Sequence, residues 1–143
     1  MRTEIHGRLS ALVAWYEALT PASLGAIGEH YAATAWFKDP FNEVQGREAI
    51  RRVFAHMFAT LRSPRFKVTA QVADEGGAVL MWDFHFGAGR REYLVRGATH
   101  LRFDARGKVT YHRDYWDTAE ELYAKVPLLG GLMRLLRRRL AAR

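Results

Sequence analysis

In the run Val109-Thr110-Tyr111-His112-Arg113-Asp114-Tyr115-Trp116-Asp117, strand-forming residues are interleaved with charges. An extended chain sends successive side chains to opposite faces. Thr110, His112, Asp114 and Trp116 therefore share one face, and Tyr111, Arg113, Tyr115 and Asp117 the other. An imidazole and a carboxylate two positions apart on one strand face are close enough to influence each other. Such a pair suits general acid–base work near neutral pH; it also fits a satisfied polar pair that merely fixes the strand.

Asp39-Pro40 is a second candidate with two readings. A carboxylate ahead of proline can cap a local turn through a nearby backbone N–H, or it can face a pocket as a general base. Trp36, Phe54, Phe58, Trp82, Phe84, Phe86 and Trp116 each read singly as core. Together they exceed what a tightly filled small sheet needs, which points to an apolar pocket with few polar groups. His6, His30, His56, His85 and His100 show no metal-ligand spacing, so neither a metal nor a cofactor is expected. Phosphate-binding glycine loops, serine nucleophile elbows and zinc-protease helices are absent from the sequence.

The elements that would position these residues follow from periodicity. Ile5, Leu9, Leu12, Val13, Tyr16 and Leu19 mark a first helix, closed by Thr20-Pro21. Leu24, Ile27 and Tyr31 mark a shorter second helix, weakened by Gly25 and Gly28. Residues 34–42 read as a short strand and a loop. A third helix runs from near Gly46 to about Leu61, with Ile50, Val53, Phe54, Met57, Phe58 and Leu61 inward.

From Arg65 the period drops to two. Phe66, Val68, Ala70 and Val72 alternate, then Leu80, Trp82, Phe84 and Phe86, then Tyr93, Val95, Gly97, Thr99, Leu101 and Phe103. Turn residues stand at 74–77, 87–91 and 104–107. Helices first and hairpin-linked strands afterwards define an α+β domain with an antiparallel sheet over residues 1–118. The tail, 119–143, reads as a basic amphipathic helix interrupted by Pro127 and Gly130-Gly131.

Length, charge and cysteine content narrow the function classes. The 143 residues suit one domain with one good core. With no cysteine, disulfide scaffolds, thiolate metal sites and cysteine nucleophiles are excluded. The net charge of +7 is concentrated in the last ten residues, which hold five arginines and no acid. The body is nearly balanced, so no nucleic-acid partner is expected. The tail's leucines are expected to pack on the body, with peripheral membrane contact as the lesser reading. The start lacks the apolar run of a signal peptide, and a cytoplasmic protein is expected.

Three helices followed by a curved meander resembles the nuclear transport factor 2-like, or SnoaL-like, superfamily, which includes ketosteroid isomerases and polyketide cyclases. The local likeness lies in Trp36-Phe37-Lys38-Asp39-Pro40, in Gly46-Arg47-Glu48-Ala49-Ile50-Arg51, and in the hairpin from Leu101 to Val109. The resemblance implies a cone-shaped domain with the His112/Asp114/Trp116 face turned into the cone, and dimerisation through the outer sheet face, where Tyr111 and Tyr115 lie. It also implies Asp39 as the general base. Where the isomerases carry an oxyanion-binding acid this chain has Thr99, and the tyrosine partner falls at Tyr16, or at Trp15 by spacing.

The resulting expectation is a pocket for a small apolar or polycyclic molecule. Cofactor-free proton transfer next to a carbonyl would use Asp39, His112, Asp114 and Tyr16, within a lining of Trp36, Phe54, Phe58, Trp82, Phe84, Phe86, Thr99 and Trp116. The competing expectation is a non-catalytic binding or assembly module on the same frame.

Overall fold

A computed structural model describes residues 2–121 and, beyond them, 131, 134, 135, 138 and 139. The basic helix expected in the tail falls largely outside the described residues.

The first helix, α1 (Arg2–Glu17), buries Leu9, Leu12, Trp15 and Tyr16 along one face. Its end is fixed by a reciprocal turn: Ser23 N–H donates to Thr20 Oγ1 at 3.1 Å, and Thr20 N–H to Ser23 Oγ at 2.8 Å. The second helix is shorter than its sequence pattern. A 3₁₀ turn, Ala22–Ala26, leads into a four-residue α2 (Ile27–His30), and the chain is already extended at Tyr31. Gly25 and Gly28 weaken the helix, and Tyr31 instead opens a strand, β1 (Tyr31–Lys38), in which Tyr31, Ala35 and Phe37 are buried.

Strand β2 (Glu43–Gln45) returns antiparallel beside β1 and delivers the chain to α3 (Arg47–Thr60). Gly46 makes that corner with φ of 101°, a conformation that strains any residue carrying a Cβ. Its N–H donates to Ala35 O at 2.8 Å, tying the helix start to β1. Ile50 and Phe54 of α3 are buried, with Val53, Met57 and Phe58 packed around them.

Four further strands complete the sheet: β3 (Arg62–Asp74), β4 (Gly77–Ala88), β5 (Arg91–Phe103) and β6 (Val109–Tyr115). The strand order is β2-β1-β6-β5-β4-β3. The β1–β6 pairing is parallel, so the sheet is mixed where a wholly antiparallel one was expected. The reason is topological: α3 and the meander separate β1 from β6, and the last strand closes beside the first. The helices cover the inner face, α1 against β3 and α3 against β1. A last short helix, α4 (Thr118–Glu121), follows the sheet.

Period-two patterning sets the faces of β4 and β5 as expected, but in β3 a register shift between Val68 and Ala70 breaks the expected alternation and turns Val72 to the outer face, exposed. Leu80, Trp82 and Phe86 of β4, and Val95, Thr99 and Leu101 of β5, point inward and are buried. Gly97 lies opposite Trp82, and a Cβ at 97 would collide with the outer ring of that indole. The glycine is therefore what lets a large side chain lie flat across the neighbouring strand.

Candidate active site

His112 and Asp114 both lie on the inner face of β6, as alternation requires. The His112 side chain is 5% exposed and that of Asp114 16%. His112 Nε2 lies 2.8 Å from Asp114 Oδ1. The same carboxylate oxygen accepts from Thr99 Oγ1 at 2.6 Å, and Thr99 Oγ1 accepts from Trp82 Nε1 at 2.7 Å. Thr99 and Asp114 are register partners across β5 and β6. A carboxylate from the adjacent strand thus lies beside position 99, hydrogen-bonded to the Thr99 hydroxyl.

On the other side of the ring, His112 Nδ1 lies 2.7 Å from Tyr31 Oη and 3.4 Å from Tyr16 Oη, and the two phenol oxygens are 2.5 Å apart. Phe37 packs against the imidazole with ring centroids 4.6 Å apart. Burial pushes the Tyr16 hydroxyl far above the usual tyrosine range; the Tyr31 hydrogen bond opposes the rise and the Asp114 charge adds to it. Tyr31 is raised by burial, by neighbouring Tyr16 and by Asp114. Both therefore act as neutral phenols. With His112 neutral, the donors order themselves: Nε2–H donates to Asp114 and Nδ1 accepts from Tyr31 O–H. Every buried side-chain polar atom among the described residues has a partner.

Tyr16, Thr99, His112 and Asp114 line one small cavity with Phe54, Phe66, Val68, Leu80 and Trp82. Its volume is ≈ 30 Å³, room for roughly one or two waters. Aromatic packing fills the rest of the cone: Phe66 stacks on Phe84 at 4.4 Å and meets Trp82 edge-on at 5.6 Å. Phe84 and Phe86 extend that layer away from the polar groups, and Phe58 stays half-buried on α3, so none of these three lines the cavity.

Three expected site residues stand elsewhere. Trp36 occupies the outer face of β1, stacked on Tyr111 at 4.9 Å, because the inward positions of that strand belong to Ala35 and Phe37. Asp39 turns its carboxylate into its own loop. Its Oδ1 accepts from Phe41 N–H at 2.8 Å and Asn42 N–H at 2.6 Å, and Asn42 Nδ2 donates to both oxygens at 3.1 Å. Trp116 meets Phe41 edge-on beside that loop. Asp39 and Trp116 border an outer groove of ≈ 510 Å³ with Lys38, Pro40, Arg113 and Tyr115, and Asp114 lines this groove as well as the cavity.

Tyr31 and Phe37 were missed by sequence reasoning. Assigning Tyr31 to a helix hid it, although the apolar alternation from Tyr31 to Phe37 was an available strand signal. Of the two aromatic residues expected near the site, Trp15 gives its indole N–H to Ser23 O at 3.1 Å, in the turn after α1, whereas Tyr16 Oη lies 3.4 Å from His112 Nδ1. Among the described residues, no group of three or more histidines and acids is placed to hold a metal ion, and no helix is long and apolar enough to cross a membrane.

Fold and site together define a small α+β domain with an imidazole–carboxylate pair set deep in an aromatic cone. The chain belongs to the SnoaL-like domain family, whose model matches residues 12–112. It is 28% identical over 109 residues to a steroid Δ-isomerase of Nocardioides simplex, spanning 75% of this chain and 87% of that protein. A Catenulispora acidiphila protein with a ketosteroid isomerase-like fold, solved with trimethylamine, superposes with a TM-score of 0.70 at 20% identity, over 85% of this chain and 92% of that one. An LEH-like epoxide hydrolase of M. tuberculosis superposes with a TM-score of 0.68 at 16% identity, over 95% and 97%.

Proposed function

We propose that this protein is an enzyme of cofactor-free proton transfer next to a carbonyl, acting on a small hydrophobic molecule by isomerisation or aldol-type cyclisation. The observation that carries the reading is the buried His112–Asp114 pair at 2.8 Å, sharing an apolar cavity with Tyr16. Asp114 is the base that takes the proton from carbon. His112 and Thr99 hold its carboxylate in place, and Tyr16 is the hydroxyl nearest the substrate oxygen. The relationship to a steroid Δ-isomerase supports this reaction class.

Asp39 is assigned a structural part, because three donors already engage its carboxylate in the 39–42 loop. The ligand reaches the cavity from the outer groove, past Asp114, and displaces part of the aromatic lining as it enters.

The test is the conversion of 3-cyclohexen-1-one to its conjugated isomer, followed by ultraviolet absorbance. Wild type accelerates it, and Asp114→Asn, which keeps the shape, loses about 10² to 10⁴-fold in turnover. Equal turnover by the two proteins would remove Asp114 from catalysis.

A second reading is favoured by the small cavity and by the outer sheet face, where Val72, Val79, Met81 and Tyr115 are exposed. In it the same fold is a homodimeric module that pairs through this face and turns over nothing. Wild-type protein inactive toward the ketone, yet dimeric in solution, would support it.

A further inference from the structure

The hydrogen-bonded chain behind the cavity allows few arrangements of its protons. A hydrogen must lie between Tyr16 Oη and Tyr31 Oη at 2.5 Å, another between Tyr31 Oη and His112 Nδ1 at 2.7 Å, and another between His112 Nε2 and Asp114 Oδ1 at 2.8 Å. Each phenol has a single proton to give. When His112 is neutral, with its proton on Nε2, Tyr31 must donate to Nδ1. The hydrogen between the phenols then comes from Tyr16, whose hydroxyl is turned away from the cavity and offers only lone pairs to a ligand.

A second proton on His112 forces the opposite order. Nδ1–H donates to Tyr31 Oη, Tyr31 O–H must donate to Tyr16 Oη, and the Tyr16 hydrogen is left to point into the cavity. No O–H bond breaks in the change: solvent supplies one proton to Nδ1, and both hydroxyls rotate about their Cζ–Oη bonds. The added positive charge sits against the Asp114 carboxylate.

We infer that Tyr31 is a positioning residue that couples the protonation of His112 to the direction of the Tyr16 hydroxyl, so that Tyr16 donates a hydrogen bond to a ligand oxygen only when His112 carries two N–H groups. The inference rests on the reading of Tyr16 as the group facing the substrate oxygen, and it adds a condition to that role. The groups facing the imidazole are Asp114 of its own strand, Tyr16 of α1, Tyr31 and Phe37 of β1, and Leu101 opposite it on β5. Asp114 is the charged member of this set. The switch therefore works between one imidazole and one carboxylate, with the two phenols as its output.

The test needs no substrate. Protein labelled with ¹⁵N-histidine and ¹³Cζ-tyrosine is titrated by NMR across about pH 5 to 8, the range in which imidazole switches. As the His112 nitrogens report the second proton, the Tyr16 and Tyr31 ¹³Cζ signals shift with the same midpoint. In Tyr31→Phe, which keeps the ring and removes the hydroxyl, His112 still titrates but the Tyr16 step is lost. Phenol signals that stay still while His112 takes up its proton would overturn the inference. So would a Tyr16 step of full size in Tyr31→Phe, or an imidazole that accepts no second proton across the range. Should Tyr31→Phe lose its fold, the wild-type titration decides alone by whether the three signals share one midpoint. Because the readout is independent of turnover, failure of the ketone assay and failure of the switch are separate results.

Discussion

Two residues of the same type differ here by their partners. Asp39 and Asp114 are both carboxylates at positions legible in the sequence. The first spends its oxygens on the loop that follows it, and the second sits on the inner face between an imidazole and a threonine hydroxyl. Replacing Asp39 by Asn retains an acceptor for the two loop N–H groups, so its stability should stay within about 0.5 kcal/mol of wild type in urea denaturation. Asp39→Ala removes the acceptor and should cost about 1 kcal/mol, as loss of a comparable side-chain cap does.

The buried phenols give a pH signature. Their folded pKa values lie above the unfolded value near 10, so their contribution to stability is complete below about pH 10 and falls as pH rises beyond it. Spectrophotometric titration should find Tyr16 and Tyr31 silent until alkaline unfolding exposes them. Replacing both by Phe should flatten the fall in stability above pH 10.

Elements were more legible than the contacts among them. Periodicity placed α1, α3 and the four meander strands, because one face of each is apolar with a clear period. Alternation alone sorted β6 correctly, leaving only the inward face to be chosen. It could not reveal the parallel β1–β6 pairing, which depends on where distant strands meet, or the early end of α2. That early end moved Tyr31 from an assumed helix into the site. Trp36 shows the same limit: the register places it against Tyr111 outside and gives the inner position to Phe37.

Gly97 is where element and site meet, since it admits the indole that donates to Thr99. Gly97→Ala should destabilise the fold by about 1–3 kcal/mol through overpacking. It should also shift tryptophan fluorescence by displacing Trp82, and it should weaken turnover because Thr99 loses its donor. A stable variant with unchanged emission would contradict the packing described for β4 and β5.

For the whole molecule, the six-stranded sheet offers two different faces. The inner face holds the aromatic layer and the imidazole–carboxylate pair. The outer face exposes Val72, Val79, Met81 and Tyr115 among charged neighbours. Pairing of two copies through that face predicts a sedimenting mass twice the 16.4 kDa of the chain. Val79→Glu with Met81→Glu should return it to the mass of one chain.

The proposed role of Asp114 is to take a proton from carbon beside a carbonyl. Cyclohexanone in D₂O reports that step alone, since deuterium can enter beside its carbonyl while no isomerisation can follow. Proton NMR should show wild-type protein speeding deuterium uptake, with Asp114→Asn slower by about 10² to 10⁴-fold and Asp39→Asn close to wild type. Uptake unchanged in Asp114→Asn, abolished in Asp39→Asn, or no faster with wild-type protein than in buffer would contradict it.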